Sequence, residues 1–287
     1  AGLWEALHTL QEATNPGPEQ PQRLRIGSDE SFVYLALEIP GLHGQDFPWG
    51  DRDVLIALDT YRPDLGQRAL PDRVLEGDLG FEFLAIFRDS ADAELRIAPD
   101  YNPYGGGAVI VAGDDYGRFF HRPITTLPRN DGHFDSLFVI TNRARFTRDG
   151  RFIPARGVNR GRLRYGTADR STLSDWYWDR SAGILEVRLP WNLLNVSDPS
   201  TATVLYEEAN GPEIGTRRSD GFRVGAAVVG SRVGTPTLRG AIPSPAQDGR
   251  WHTEQFATWE WPTWSVPRYH QQLKPVYDSL KAVWGVR

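Results

Sequence analysis

The sequence predicts an all-β protein: an antiparallel β-sandwich of jelly-roll type with short helices at its N- and C-terminal ends. Three observations predict it. About ten short segments either alternate apolar and polar residues or form apolar runs of strand length. Gly (29) and Pro (21) are used more than average, which favours many turns over long helices. Asn130-Asp131-Gly132, Asp149-Gly150, Asp220-Gly221 and Asp248-Gly249 supply the left-handed backbone positions that tight turns between strands require.

Taken in chain order, residues 1–13 carry Leu3, Trp4, Leu7 and Leu10 at helical spacing, and Pro16, Pro18 and Pro21 end the run. This predicts a helical entry segment over 1–25. The main domain, 26–258, holds strand candidates at 31–39, 54–58, 81–87, 93–97, 108–112, 135–141, 184–189, 203–206, 222–229 and 253–258. The strand at 184–189 is closed by Pro190-Trp191 and a short helical turn, with Trp191 expected inside. Long loops cover 61–80, 99–107 and 141–165, and long loops on a rigid sheet are where binding surfaces usually sit. Residues 259–287 form an aromatic tail (Trp259, Trp261, Trp264, Tyr269) and a helix over about 270–284 that presents Leu273, Val276, Leu280 and Trp284.

Composition excludes several functions. A net charge of −5 without a long basic run argues against nucleic acid, whose binding needs clustered cations. Cysteine is absent, which removes disulfide scaffolds, Cys-ligated zinc, iron–sulfur clusters and thiol nucleophiles. Methionine is absent too, including an initiator, so the chain reads as a processed or excised piece of a longer product. No apolar run approaches the roughly 20 residues of a membrane-spanning helix. Of the 32 basic residues only Lys274 and Lys281 are lysines.

Motifs narrow the chemistry further. Gly230-Ser231-Arg232-Val233-Gly234 has its serine at the wrong offset for a nucleophile elbow, and the six histidines show no paired metal spacing, so each is read as structural. Gly105-Gly106-Gly107 precedes a strand, where phosphate loops need a helix N-terminus. Glycoside hydrolysis needs two facing carboxylates, for which Asp175, Asp179, Glu207, Glu208, Glu254 and Glu260 are candidates without an evident pairing. Calcium prefers carboxylate and carbonyl oxygens in turns, and Asp59 with Asp64 is the expected set.

The strongest binding signal is aromatic. Flat rings stack on sugar faces while neighbouring polar groups bond the hydroxyls. Trp176 and Trp178 share one side of an extended segment, with Tyr177 opposite and Asp175 and Asp179 flanking; they form the expected platform. Tyr101 and Tyr104 around Asn102 form a second ligand-binding candidate. The loop 141–165 carries Arg143, Arg145, Arg148, Arg151, Arg156, Arg160, Arg162 and Arg164, readable as a solvated meander or as a site for acidic glycan or phosphate groups.

Several phrases resemble a family. Ser-Asp-Glu-Ser-Phe-Val-Tyr-Leu-Ala-Leu from Ser28 looks like the early acidic turn and strand of carbohydrate-binding-module family 9-like and DOMON-like sandwiches. Val54 to Thr60 is similar to their strand ending in aspartate, and Leu185 to Trp191 to their late strand before a short turn. The ending from Pro267 to Tyr277 resembles that of C-terminal domains in large bacterial exported proteins. The resemblance implies a jelly-roll-like sandwich, with glycan binding in some members, calcium in some and haem b in others. The haem branch uses an axial methionine, which this chain lacks, so haem is not expected.

The function expected is therefore a non-catalytic, extracellular carbohydrate-binding or glycan-scaffolding domain of a larger bacterial protein, at the cell surface or in the periplasm. Its partners would be a polysaccharide or cell-surface glycan and other domains of the same polypeptide. A structural domain that packs on its own upstream region is the alternative, and a glycoside-active enzyme is the third reading.

Overall fold

A computed structural model describes residues 6–14, 17–103, 128–142, 145–154, 156–166, 173–207, 214–230 and 235–266. Among these the chain is all-β, with antiparallel sheets and only short 3-10 turns as helix. Among the described residues no helix is long and apolar enough to cross a membrane.

The strands, numbered in chain order, fall into two large and four small sheets. The five-stranded sheet contains β1 (His8–Glu12), β2 (Arg23–Ser28), β3 (Phe32–Glu38), β15 (Trp176–Asp179) and β16 (Ile184–Pro190), in the spatial order β1-β2-β3-β16-β15. The six-stranded sheet contains β4 (Arg52–Asp59), β7 (Phe83–Asp89), β8 (Asp92–Ile97), β10 (Asp135–Ser136), β20 (Arg223–Gly230) and β21 (Thr237–Ile242), ordered β10-β8-β7-β4-β20-β21. Two three-stranded sheets are built from β5 (Gly66–Ala69), β6 (Glu76–Phe81) and β9 (Pro128–Arg129), and from β17 (Val196–Asp198), β18 (Thr203–Glu207) and β19 (Ile214–Arg218). Two ribbons complete the set: β11 (Phe138–Asn142) with β14 (Arg156–Asn159), and β12 (Arg145–Phe146) with β13 (Phe152–Ile153). The four sheets of three or more strands make a four-bladed, propeller-like arrangement where the sequence predicted a jelly-roll sandwich. The physical reason lies in segments expected to be loop: 61–80 supplies β5 and most of β6, and 196–218, expected to hold one strand, supplies β17, β18 and β19, pairing N–H and C=O groups that a structureless loop would leave to water.

Strand patterns follow position. Val54 to Leu58 is buried throughout because β4 is central and covered on both faces. In β16 the residues Leu185, Val187 and Leu189 turn inward while Glu186 and Arg188 turn outward, the period-two alternation of a strand with one wet face. The two large sheets share a core in which the Phe87 ring of β7 lies 5.1 Å from the Trp176 ring of β15. Trp191 is buried as expected, donates its indole N–H to the Asp29 carbonyl at 2.9 Å, and packs with Phe222, Trp259 and Trp261. All four predicted turn glycines, Gly132, Gly150, Gly221 and Gly249, have positive φ.

Four sequence expectations need correction or fall outside. His8–Glu12 is a strand on the edge of the five-stranded sheet, not part of an entry helix. Only Leu10 of it is buried, so backbone pairing with β2 outweighs the helical spacing of the leucines. Residues 253–258 are not a strand; Thr253–Gln255 is a 3-10 turn. The strand at 108–112 and the helix at 270–284 lie outside the described residues.

One buried polar cluster joins two of the sheets. Glu82 is the single residue between β6 and β7, where the chain leaves a three-stranded sheet for the six-stranded one. Its Oε2 accepts the backbone N–H groups of Thr60 (2.8 Å) and Tyr61 (3.2 Å), just past the end of β4. Asp59, also buried, pairs with Arg223 at 2.9 Å across the β4–β20 register, and its charge lies close enough to Glu82 to act on it. Burial pushes the Asp59 carboxyl up to about 6 while Arg223 pulls it back, and burial together with the neighbouring Asp59 charge drives Glu82 well above the carboxylate range.

A raised carboxyl pKa means that the native state holds protons the unfolded chain releases, so the stabilisation is full at low pH and is lost as pH rises through the folded-state values. Melting temperature should therefore fall from about pH 5 to about pH 8, and Glu82→Gln should flatten that slope; a wild-type melting temperature that rises over the range would contradict the upward shift of the two carboxyls. Glu82→Ala, which strands two buried N–H groups, should cost about 2–5 kcal/mol in urea unfolding.

Candidate ligand-binding surface

The sequence-predicted platform is inside the protein. Trp176 and Trp178 are 2% and 3% exposed, while Tyr177 between them is 39% exposed. The expected alternation is present, but the tryptophans face the core. Trp176 packs on Phe87 (5.1 Å) and Trp49 (5.4 Å), and Trp178 packs on Phe47 (5.4 Å) and donates to the Gln45 carbonyl at 3.0 Å. Segment 47–49 supplies the aromatic cover, a tertiary contact that strand alternation does not specify.

The flanking acids have structural work. The Asp179 carboxylate accepts from the N–H groups of Ser181 (2.8 Å) and Ala182 (3.2 Å), which closes the β15–β16 hairpin. Asp175 accepts the Arg164 N–H at 2.9 Å and pairs with its guanidinium at 3.4 Å. That contact joins β15 to the segment arriving from the arginine-rich ribbons.

The second candidate also lies inside. Tyr101 is fully buried, with its hydroxyl on the Leu205 carbonyl at 3.0 Å and its ring 4.9 Å from Tyr61; Asn102 is buried beside it. Tyr104 lies outside the described residues. Asp59 and Asp64 do not make the expected calcium set. Asp59 is committed to Arg223 in the core, and Asp64 is exposed and held below the usual carboxylate range by Arg62, 2.7 Å away. Among the described residues, the side chains that converge as metal ligands are Asp78, His252 and Glu254. Of the hydrolase candidates, Glu207 ends β18 and Glu208 lies outside the described residues.

What reaches the surface is a tyrosine pair. The Tyr165 and Tyr177 rings lie 5.7 Å apart at an interplanar angle of 33°. Beneath them Trp176 meets Tyr165 edge-on at 4.6 Å. The buried indole therefore fixes the ring above it, and β15 is an edge strand, so the pair stands at a sheet margin. Burial and the neighbouring ring and acid raise the Tyr165 hydroxyl pKa, which leaves it a neutral donor.

The chain entering Tyr165 carries a strong local charge. Between 145 and 164 there are seven arginines and one acidic residue, in a protein of net charge −5. All seven arginines are exposed, and among the described residues only Arg164 makes an ion pair. The ribbon β12–β13 also exposes Phe146 and Phe152, whose rings are 5.2 Å apart. The exposed Tyr177 ring and the partly buried Tyr165 ring are thus preceded in the chain by exposed guanidinium groups, chemistry suited to flat, hydroxylated and anionic ligands.

Trp176 and Tyr177 should separate in a stability measurement. Trp176→Ala should cost about 3–5 kcal/mol by urea denaturation, as core aromatic truncations do. Tyr177→Ala should stay within about 0.5 kcal/mol of wild type; equal losses would place both rings in the core.

A scan against protein-family models finds no match, and no curated protein matches the chain in sequence.

Proposed function

We propose that this chain is a non-catalytic carbohydrate-binding or glycan-scaffolding domain of a larger bacterial surface protein, and that its ligand is an acidic polysaccharide. The single observation that carries this reading is the ring pair of exposed Tyr177 and partly buried Tyr165, which follows an arginine-rich, carboxylate-poor segment. A sugar ring presents an apolar C–H face to the tyrosines, and uronate or sulfate groups pair with guanidinium in bidentate fashion. The resemblance to carbohydrate-binding-module family 9-like and DOMON-like domains supports the same reading. In it, the setting is the cell surface, the extracellular space or the periplasm.

The test is affinity electrophoresis through gels containing a polyuronate, a sulfated glycan or a neutral glucan. Retention by the acidic polymers should weaken with salt, because exposed charges are screened. Tyr177→Ala should weaken it about tenfold while leaving the fold intact. Absence of retention on every polysaccharide would sink the proposal.

The alternative of a structural interaction domain draws support from Phe146 (52% exposed) and Phe152 (40% exposed), which give the β12–β13 ribbon an apolar tip. Under that reading no polysaccharide retains the chain, and replacing both phenylalanines with serine changes its association in sedimentation velocity.

A further inference from the structure

We infer that Asp78, His252 and Glu254 form a binding site for a divalent transition metal, with Asp248 as an outer-shell partner of the histidine. The site is distinct from the tyrosine surface and does not depend on glycan binding. One ligand atom from each of the three residues lies within 4.8 Å of the others, close enough for a single ion to bridge them. An imidazole with two carboxylates is a nitrogen–oxygen donor set suited to Zn2+ and its first-row neighbours.

Two of the three donors, Asp78 and His252, are oriented by contacts that would survive metal binding. Asp78 Oδ1 accepts the Thr253 N–H (2.7 Å) and hydroxyl (2.8 Å), which leaves Oδ2 facing His252 Nδ1 at 3.2 Å. The other ring nitrogen, Nε2, lies 3.0 Å from Asp248 Oδ2. A carboxylate on the far nitrogen selects the tautomer whose near nitrogen is free to ligate, and raises its basicity. The ion would take the place of the hydrogen that Nδ1 and Asp78 now share, and that proton would leave to solvent.

The backbone beneath is rigid. Trp251 donates to the Glu76 carbonyl at 2.8 Å, and Asp78 donates to the Trp251 carbonyl at 3.1 Å, so the two ligand-bearing segments are laced together one residue from the donors. The approach requires Gly77, where a Cβ would meet the Trp251 oxygen at 2.5 Å. Trp251 is itself buried and anchored through its indole to the Pro243 carbonyl at 2.7 Å. Gln255 caps the His252 N–H at 2.7 Å and shapes the short turn that carries Glu254. Asp78 and Glu254 are exposed and His252 is partly so, which leaves the site open to an ion from solution.

Equilibrium dialysis of the intact chain against ZnCl2 tests the inference. The wild type should retain one Zn2+ per chain that His252→Ala does not, and Ca2+ at equal concentration should not displace it. Asp248→Asn should bind with about 10- to 100-fold lower affinity. Glu254→Gln keeps the test decisive if His252→Ala misfolds, because Glu254 is exposed and makes no hydrogen bond among the described residues; it should weaken Zn2+ binding by about tenfold or more. Equal Zn2+ retention by the wild type, His252→Ala and Glu254→Gln would overturn the site, and displacement of Zn2+ by equal Ca2+ would overturn its assignment to a transition metal.

Discussion

The burial of Glu82 is the constraint from which the arrangement of the sheets follows. With one residue between β6 and β7, the chain has no room for a loop as it passes from one sheet to the next. The carboxylate at that joint accepts two N–H groups from the end of β4, while its own backbone N–H bonds the Leu58 carbonyl at 3.0 Å and its carbonyl accepts the Ala98 N–H at 2.6 Å. Strands β4 and β7 and the residue after β8 therefore meet at one residue, through its side chain and its backbone. Removing two carboxyls from water is costly, and the cost is offset here by the Arg223 guanidinium beside Asp59 and the two backbone donors that Glu82 accepts. An apolar residue at this joint could not bond those donors, so the polar choice specifies where β4 ends and the turn to Tyr61 begins.

A second layer of organisation comes from aromatic rings that are not themselves exposed. Trp176 touches the opposite sheet through Phe87 and the surface through Tyr165, so core packing is carried directly to the ring pair outside. The core thus fixes the Tyr165 ring that lies beside Tyr177. Charge is segregated along the chain as well: a protein of net charge −5 carries a strongly basic segment between 145 and 164.

The C-terminal part of the chain is integrated by the same logic. Trp251 and Phe256 pack against Phe81, and Trp259 and Trp261 close over Trp191 and Phe222. Residues 251–261 thus complete the core, and in doing so they bring His252 beside Asp78, a pair 174 positions apart in sequence. The histidine acquired its partners through the anchoring of the tryptophan next to it.

The sequence by itself determined the all-β class, the central strands and the tight turns, because these depend on local matters: side-chain period, apolar runs and the backbone freedom of glycine. Ile184 to Leu189, Val54 to Leu58 and the four Asp-Gly turns were legible for that reason. It also determined that Trp176 and Trp178 face one way and Tyr177 the other. Only the tertiary structure decided which way was inward, since that depends on Phe47, Trp49 and Phe87 arriving from other strands and loops. The same is true of the His8–Glu12 strand, whose partner supplies the hydrogen bonds that its own residues do not announce, and of Asp59, whose acid is claimed by Arg223 from far along the chain. Local periodicity tells a residue's side of a strand; what stands on that side is a property of the assembled sheets.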